Sequence, residues 1–159
     1  MKKLFLLAIA AIFCSIYTTF AATKTLWLIG DATMAHYTDS TLAYGWGTAF
    51  EQYVNNRIGI VNMAGTGISA TIFDENSMIK KIEDLPKKSY ILIQLGTNDL
   101  REDIPAQYSS SETFALRLNK IISTAHKNKI NIVLCTPLAQ PYYKDGLLIN
   151  RLGIYPDII

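Results

Sequence analysis

Three short segments hold the residues best able to do chemistry: Gly30-Asp31-Ala32-Thr33, Ala64-Gly65-Thr66-Gly67 and Gly96-Thr97-Asn98-Asp99. Their glycines let a backbone N–H approach a ligand with no side chain in the way. Asn98 adds amide donors without charge. Each residue also has a purely structural reading. Gly65 and Gly67 can make a turn, Asn98-Asp99 can cap a helix, and Asp31 can fix its own loop or cap the next helix. Gly65-Thr66-Gly67-Ile68-Ser69-Ala70 also fits the G-x-G-x-x-A pattern of a dinucleotide site, with Glu83 and Asp84 near the distance expected of its acid. That fingerprint normally opens the first strand–helix unit, and its acid ends a strand; neither condition is met here. The two histidines, His36 and His126, have no ligand-like spacing to cysteine or carboxylate pairs, so neither a metal nor a cofactor is expected. His36 reads as a surface residue and His126 as a solvent-facing one late in a helix. Cys135, inside Ile132-Val133-Leu134-Cys135, reads as a small buried hydrophobe.

Four apolar runs must position these segments: Thr25 to Ile29, Ile58 to Met63, Tyr90 to Leu95 and Ile130 to Cys135. They show little polar alternation, as expected of parallel strands covered on both faces. Helical patterns lie between them, over Leu42 to Asn55, Asn76 to Leu85 and, most regularly, Ser110 to Asn128. In the last, Ser109 and Glu112 have capping-box spacing. Phe114, Leu118, Ile121, Ile122 and Ala125 share one face, while Arg117, Lys120 and Lys127 lie elsewhere, where they can stay in water. The alternation β-α-β-α-β-α-β predicts an α/β fold with right-handed crossovers. In such sheets ligands bind beyond the carboxyl ends of the strands, which is where all three segments fall, together with Thr136-Pro137.

The N-terminus has its own pattern. Lys2 and Lys3 precede the apolar run Leu4 to Ile16, and Thr19 and Ala21 stand at −3 and −1 of a cleavage site. This predicts a signal peptide over residues 1–21, a secreted or periplasmic destination and no stable membrane anchor, with one domain over 22–159. The chain carries 15 Lys+Arg against 13 Asp+Glu. Removing Lys2 and Lys3 balances the signs, so no nucleic-acid partner is expected.

The segments resemble the conserved blocks of the GDSL/SGNH hydrolases. Gly30-Asp31-Ala32-Thr33-Met34-Ala35 is similar to the Gly-Asp-Ser block with alanine in place of serine, Gly65 to the second block's glycine, and Gly96-Thr97-Asn98-Asp99 to Gly-x-Asn-Asp. With Gly45-Trp46-Gly47, the run resembles the rhamnogalacturonan acetylesterase branch, over about Leu26 to Pro137. The resemblance implies a three-layer open parallel sheet, flavodoxin-like, with four strands present and a fifth apparently truncated. The fourth strand would then be an apolar, unpaired edge. It also implies hydrolysis of acetyl esters on polysaccharide. A serine at position 32 would attack the carbonyl and a histidine from a late Asp-x-x-His would take its proton. The backbone N–H groups of Ala32 and Gly65 and the amide of Asn98 would hold the oxyanion. Asp31 would support the site, and Trp46, more often a packing residue, is a candidate sugar contact.

Two departures qualify this expectation. Ala32 cannot attack a carbonyl, and the adjacent Thr33 projects differently. No Asp-x-x-His occurs in the sequence. The chain is therefore expected to be an acetylesterase scaffold with little or no turnover, the partner being an acetylated polysaccharide or oligosaccharide. A non-catalytic glycan-binding protein is the alternative, and a dinucleotide-binding domain the weaker one.

Overall fold

The computed structural model describes residues 24–37, 45–55, 57–75, 78–139 and 141–159. The expected signal peptide lies outside the described residues. Among those described, no helix is long and apolar enough to cross a membrane.

The four apolar runs form the four strands: β1 (Lys24–Gly30), β2 (Ile58–Asn62), β3 (Tyr90–Gln94) and β4 (Asn131–Cys135). All pair in parallel, in the order β2-β1-β3-β4. Between them lie α1 (Trp46–Phe50) with a 3-10 turn at Glu51–Tyr53, α2 (Ala70–Glu75), α3 (Met78–Glu83) and α4 (Ser111–Lys127). After β4 come a short antiparallel hairpin, β5 (Tyr143–Lys144) and β6 (Leu147–Leu148), and a terminal helix α5 (Tyr155–Ile158).

Successive strand residues face opposite sides of a sheet. Ile29, Ile91 and Ile93 turn toward the main core with Phe73, Ile82, Phe114 and Ile121, all essentially inaccessible. There α2 and α3 pack on α4, and α4 packs on β4 and α5. Leu28 and Gln94 occupy the other face and are also buried. The expectation that all four strands are covered on both faces holds only for the carboxyl-terminal parts of the central pair. Val61 in β2 and Val133 in β4 remain 37% and 51% exposed, because each belongs to an outer strand.

Helix α4 buries Phe114, Leu118, Ile121 and Ala125, and Ile122 is partly covered. Its cap differs from the expected one. Ser110, in extended conformation, accepts the Thr113 N–H at 3.2 Å. Ser109 is buried instead, its hydroxyl donated to Asp99 at 2.9 Å. Arg117 also departs from expectation: its guanidinium donates to Thr71 and, at 3.3 Å, to Ser109. Ser110→Ala is expected to cost about 1 kcal/mol, the usual worth of such a cap, read as a lower urea midpoint with unchanged slope; Ser109→Ala should cost more, since it breaks a buried network.

The helix expected over 42–55 is shorter, because Val54 is already extended (φ −93°, ψ 140°). Its first residues lie outside the described set. Helix α2 was not expected at all. Ser69 begins it, accepting the Ile72 N–H at 3.2 Å. Tyr155 closes the core beside Phe114, with ring centroids 5.0 Å apart. Its hydroxyl donates to the Ser109 carbonyl, and burial pushes the phenol up to about 12.

Candidate active site

The register aligns Gly30, Gln94 and Cys135 across the sheet, so the segments that follow them emerge at one edge. There a cleft of about 180 Å3 is lined by Asp31, Ala32, Thr97, Asn98, Arg101 and Arg151, among others. The structure thus brings together three of the residues singled out from the sequence: Asp31, Ala32 and Asn98.

Asp31 is buried and fixes its own turn. Its Oδ1 accepts the Thr33 N–H at 2.8 Å and the Thr33 hydroxyl at 2.6 Å. Thr33 Oγ1 is thereby committed to the loop. Oδ2 of Asp31 and the hydroxyl of Thr97, both buried, have no protein partner among the described residues. Ala32 sits at the turn's apex, its carbonyl accepting the Tyr37 hydroxyl at 2.9 Å.

Asn98 donates one amide N–H to the Ile68 carbonyl at 2.8 Å. A carboxamide has a second donor, and the residue lines the cleft. Asp99 beneath it is fully buried. Oδ1 accepts from the Ala70 N–H and the Ser109 hydroxyl, each at 2.9 Å, and Oδ2 from the Gly96 N–H at 3.1 Å. So Asp99 does cap a helix, but it is α2, some thirty residues earlier in the chain. Burial raises its carboxyl to about 6, against the opposing pull of these hydrogen bonds. The anchored loop holds Asn98 in place.

Gly65 is engaged within the sheet. Its N–H donates to the Gly30 carbonyl at 3.0 Å, two residues after Met63 N–H donates to Leu28 at 2.8 Å. Gly65 therefore extends the β1–β2 ladder, and its N–H is spent there. Nor is glycine demanded: a Cβ at this position would first meet the Ile68 side chain, at 3.4 Å. Gly67 is the constrained glycine. Its φ is +77°, the third position of a Gly65–Ile68 turn, and a Cβ there would come within 2.9 Å of Gln107 Nε2. The hydrogen bond from Asn98 to Ile68 joins this turn to the cleft. The sequence carried a signal for it, a glycine two residues ahead of the capping Ser69.

Trp46 turns inward: its indole N–H donates to Gln94 Oε1 at 2.6 Å and its ring meets Phe50 edge-on. It does not line the cleft. Gly45 is explained by close approach, since a Cβ there would lie 2.3 Å from the Ala35 carbonyl oxygen. His36 Nδ1 lies 3.1 Å from Thr48 Oγ1 in an exposed pair, and His126 is exposed in the last turn of α4. Cys135 is only partly covered, since β4 is an outer strand; burial still raises its thiol pKa. The acids proposed for a dinucleotide site, Glu83 and Asp84, end α3 rather than a strand, and the glycines stand between β2 and α2. Among the described residues no group of three His, Cys, Asp or Glu side chains could hold a metal.

A second depression, of about 420 Å3, lies beside the hairpin. Tyr143, Leu148 and Asn150 line it, and it shares Arg151 and Leu152 with the cleft. It contains none of the strand-end residues.

The model of the family described as GDSL-like Lipase/Acylhydrolase matches residues 26–152. The probable rhamnogalacturonan acetylesterase YesY of Bacillus subtilis is 29% identical over 134 residues, covering 83% of this chain and 60% of that protein. The chain thus spans about three-fifths of the relative's length. Among solved structures, protein YXIM of Bacillus subtilis superposes with a TM-score of 0.67 at 25% identity, over 76% of this chain and 34% of that one. Axe2, an acetylxylan esterase from Geobacillus stearothermophilus, superposes with a TM-score of 0.63 at 17% identity, over 89% of this chain and 72% of its own.

Proposed function

The chain belongs to the GDSL-like lipase/acylhydrolase family, and from that premise we propose that its cleft receives acetyl esters on a polysaccharide, of the pectic rhamnogalacturonan kind, and turns them over slowly or not at all. The observation that carries this reading is the convergence of Ala32 and Asn98 in one cleft at the carboxyl edge of the sheet. An ester carbonyl placed there would meet the Ala32 backbone and the second N–H of Asn98. Such donors stabilise an oxyanion without a charged group.

The slow turnover follows from Ala32, which offers a methyl group where the reaction needs a nucleophile. The same fact supports a second reading, a glycan-binding protein whose site holds an acetylated sugar without cleaving it. The Lys2–Ala21 segment supports action outside the cytoplasm.

Titration calorimetry with acetylated and deacetylated pectic fragments tests both readings. Binding of the acetylated fragment, weakened by removing the acetyl groups and by Asn98→Ala, is the expected result. Indifference to acetylation would remove the ester-directed reading, and slow release of acetate on prolonged incubation would separate a weak esterase from a pure binder.

A further inference from the structure

Every residue from 141 to 151 is exposed, although the stretch holds Tyr142, Tyr143, Leu147, Leu148 and Ile149. Its two strands, β5 and β6, pair with each other in a sheet of their own. A lone two-stranded hairpin is at best marginally stable in water, and packing of its apolar face supplies what is missing. The register says which face that is. Tyr143 stands opposite Leu148, and Lys144 opposite Leu147. Tyr143 and Leu148 therefore point to one side, and Lys144 and Leu147 to the other. Tyr143 and Leu148 are 66% and 64% exposed. On their side lies the depression of about 420 Å3, which Ala139, Pro141, Ile149 and Leu152 help to complete.

The hairpin's own charges suit a second hairpin on this face. Asp145 stands in the exposed turn at the tip, and Arg151 borders the depression at the base. Two copies laid face to face, arms antiparallel about a two-fold axis, bring the tip of each arm to the base of the other. Tyr143 and Leu148 then meet their own counterparts, and each Asp145 meets the Arg151 of the other copy. A patch that complements itself in this way is what a two-fold dimer requires. Within its own chain Arg151 already feels Asp103, so the ion pair sets the register and the apolar face supplies the attraction. That face offers on the order of 400 Å2 per copy, about half of one partner's share in a standard interface. A weak, reversible association is therefore expected.

We propose that the hairpin face bearing Tyr143 and Leu148 docks on the same face of a second copy of this chain, with Asp145 of each against Arg151 of the other. Because Arg151 and Leu152 also line the strand-end cleft, the arm tip of the second copy borders the cleft mouth. The proposal stands whether or not the cleft binds esters.

Sedimentation of the chain over a concentration series tests it, with thermal melts verifying that each variant folds. The wild-type chain should pass reversibly from monomer to dimer. Leu148→Glu should weaken the dimer roughly tenfold or more, as a charge placed in the centre of an apolar contact does. Leu147→Glu, one residue away on the opposite face, should leave it unchanged. Asp145→Lys and Arg151→Glu should each weaken the dimer by setting like charges together. Lysine suits position 145, where φ is 51°, since Lys88 and Lys129 hold similar angles, 68° and 60°. Mixed in equal amounts, these two variants should dimerise again, because each supplies the charge that the other's contact lacks. A chain that stays monomeric up to its solubility limit would overturn the proposal. So would association of any order that is indifferent to Leu148→Glu, equal sensitivity at Leu147 and Leu148, or a mixture that fails to recover.

Discussion

Asp99→Ala is expected to lower the stability of the domain by about 3–5 kcal/mol, a loss at the upper end of what single substitutions cause. Three buried donors lose their acceptor together: the Ala70 N–H that opens α2, the Gly96 N–H that follows β3, and the Ser109 hydroxyl that precedes α4. Each unsatisfied donor costs about 1–3 kcal/mol. The Ser109 hydroxyl also meets that of Thr71 at 2.7 Å, and the Ser109 carbonyl accepts from Tyr155, so the damage reaches α2 and α5. Asp99→Asn should cost less, about 1–3 kcal/mol, since its oxygen can still serve Ala70 and Ser109 while its NH2 opposes the Gly96 N–H. Urea denaturation of the two variants gives the comparison. A change below 1 kcal/mol for the alanine variant would contradict this account, the threshold being the usual worth of one hydrogen bond.

The same carboxyl makes stability depend on pH in an unusual direction. Its pKa in the fold, about 6, lies above the ordinary value of 3.8. The folded state therefore holds the proton more tightly than the unfolded chain. Stability from this group is fully present below about pH 4 and is lost as pH rises through 6. The span corresponds to about 3 kcal/mol. Wild-type unfolding free energy should carry this acid-side excess between pH 4 and 7, and the Asn variant should lack it.

How far the sequence led can be judged from particular residues. The strands were legible because Ile, Leu and Val recur with few polar interruptions, and each predicted run matches its strand to within one residue at either end. Helix α4 was legible because a helix of 17 residues repeats its apolar stripe several times. Helix α2, with six residues, has too few turns to show a period. The hairpin was overlooked although its signal was present. Asp145-Gly146 stands between Tyr143-Lys144 and Leu147-Leu148, and both turn residues take positive φ, 51° and 77°, as a two-residue hairpin loop of this hand requires.

The site divides in the same way. Asp31, Ala32 and Asn98 could be grouped because strand ends in a parallel sheet share an edge. What could not be read were choices made by distant partners. Ser109 rather than Ser110 might have capped α4, but a carboxylate ten residues earlier claims Ser109. Gly65 could have kept its N–H free, but the ladder to Gly30 claims it. Arg117 turns to Thr71 and Trp46 to Gln94 for similar reasons. In each case local pattern left two options open, and a hydrogen bond across the fold accompanies the one taken.

Restoring the nucleophile should not restore the enzyme. Ala32→Ser is expected to change acetyl-ester hydrolysis less than about tenfold, leaving it on the order of 10^6 below an intact serine triad, the scale on which loss of such a unit is felt. A serine hydroxyl at position 32 needs a base to take its proton, and the sequence holds two histidines. His126 stands at the far end of α4 from Ser110, about 24 Å along a helix of this length, and Ser110 is next to the residue that contacts Asp99 beneath the cleft. His36 is nearer in sequence but is exposed and paired with Thr48. Asp31, the adjacent carboxylate, is occupied on one oxygen by Thr33. Release of acetate from a chromogenic acetyl ester, measured for the alanine and serine chains side by side, tests this. Added imidazole sharpens the comparison, because it supplies a base from solution. It should accelerate the serine chain more than the alanine chain, whose response measures the uncatalysed background. A serine chain already fast without imidazole, with a rate that collapses on His36→Gln, would instead make His36 the base and give this fold a catalytic pair of its own.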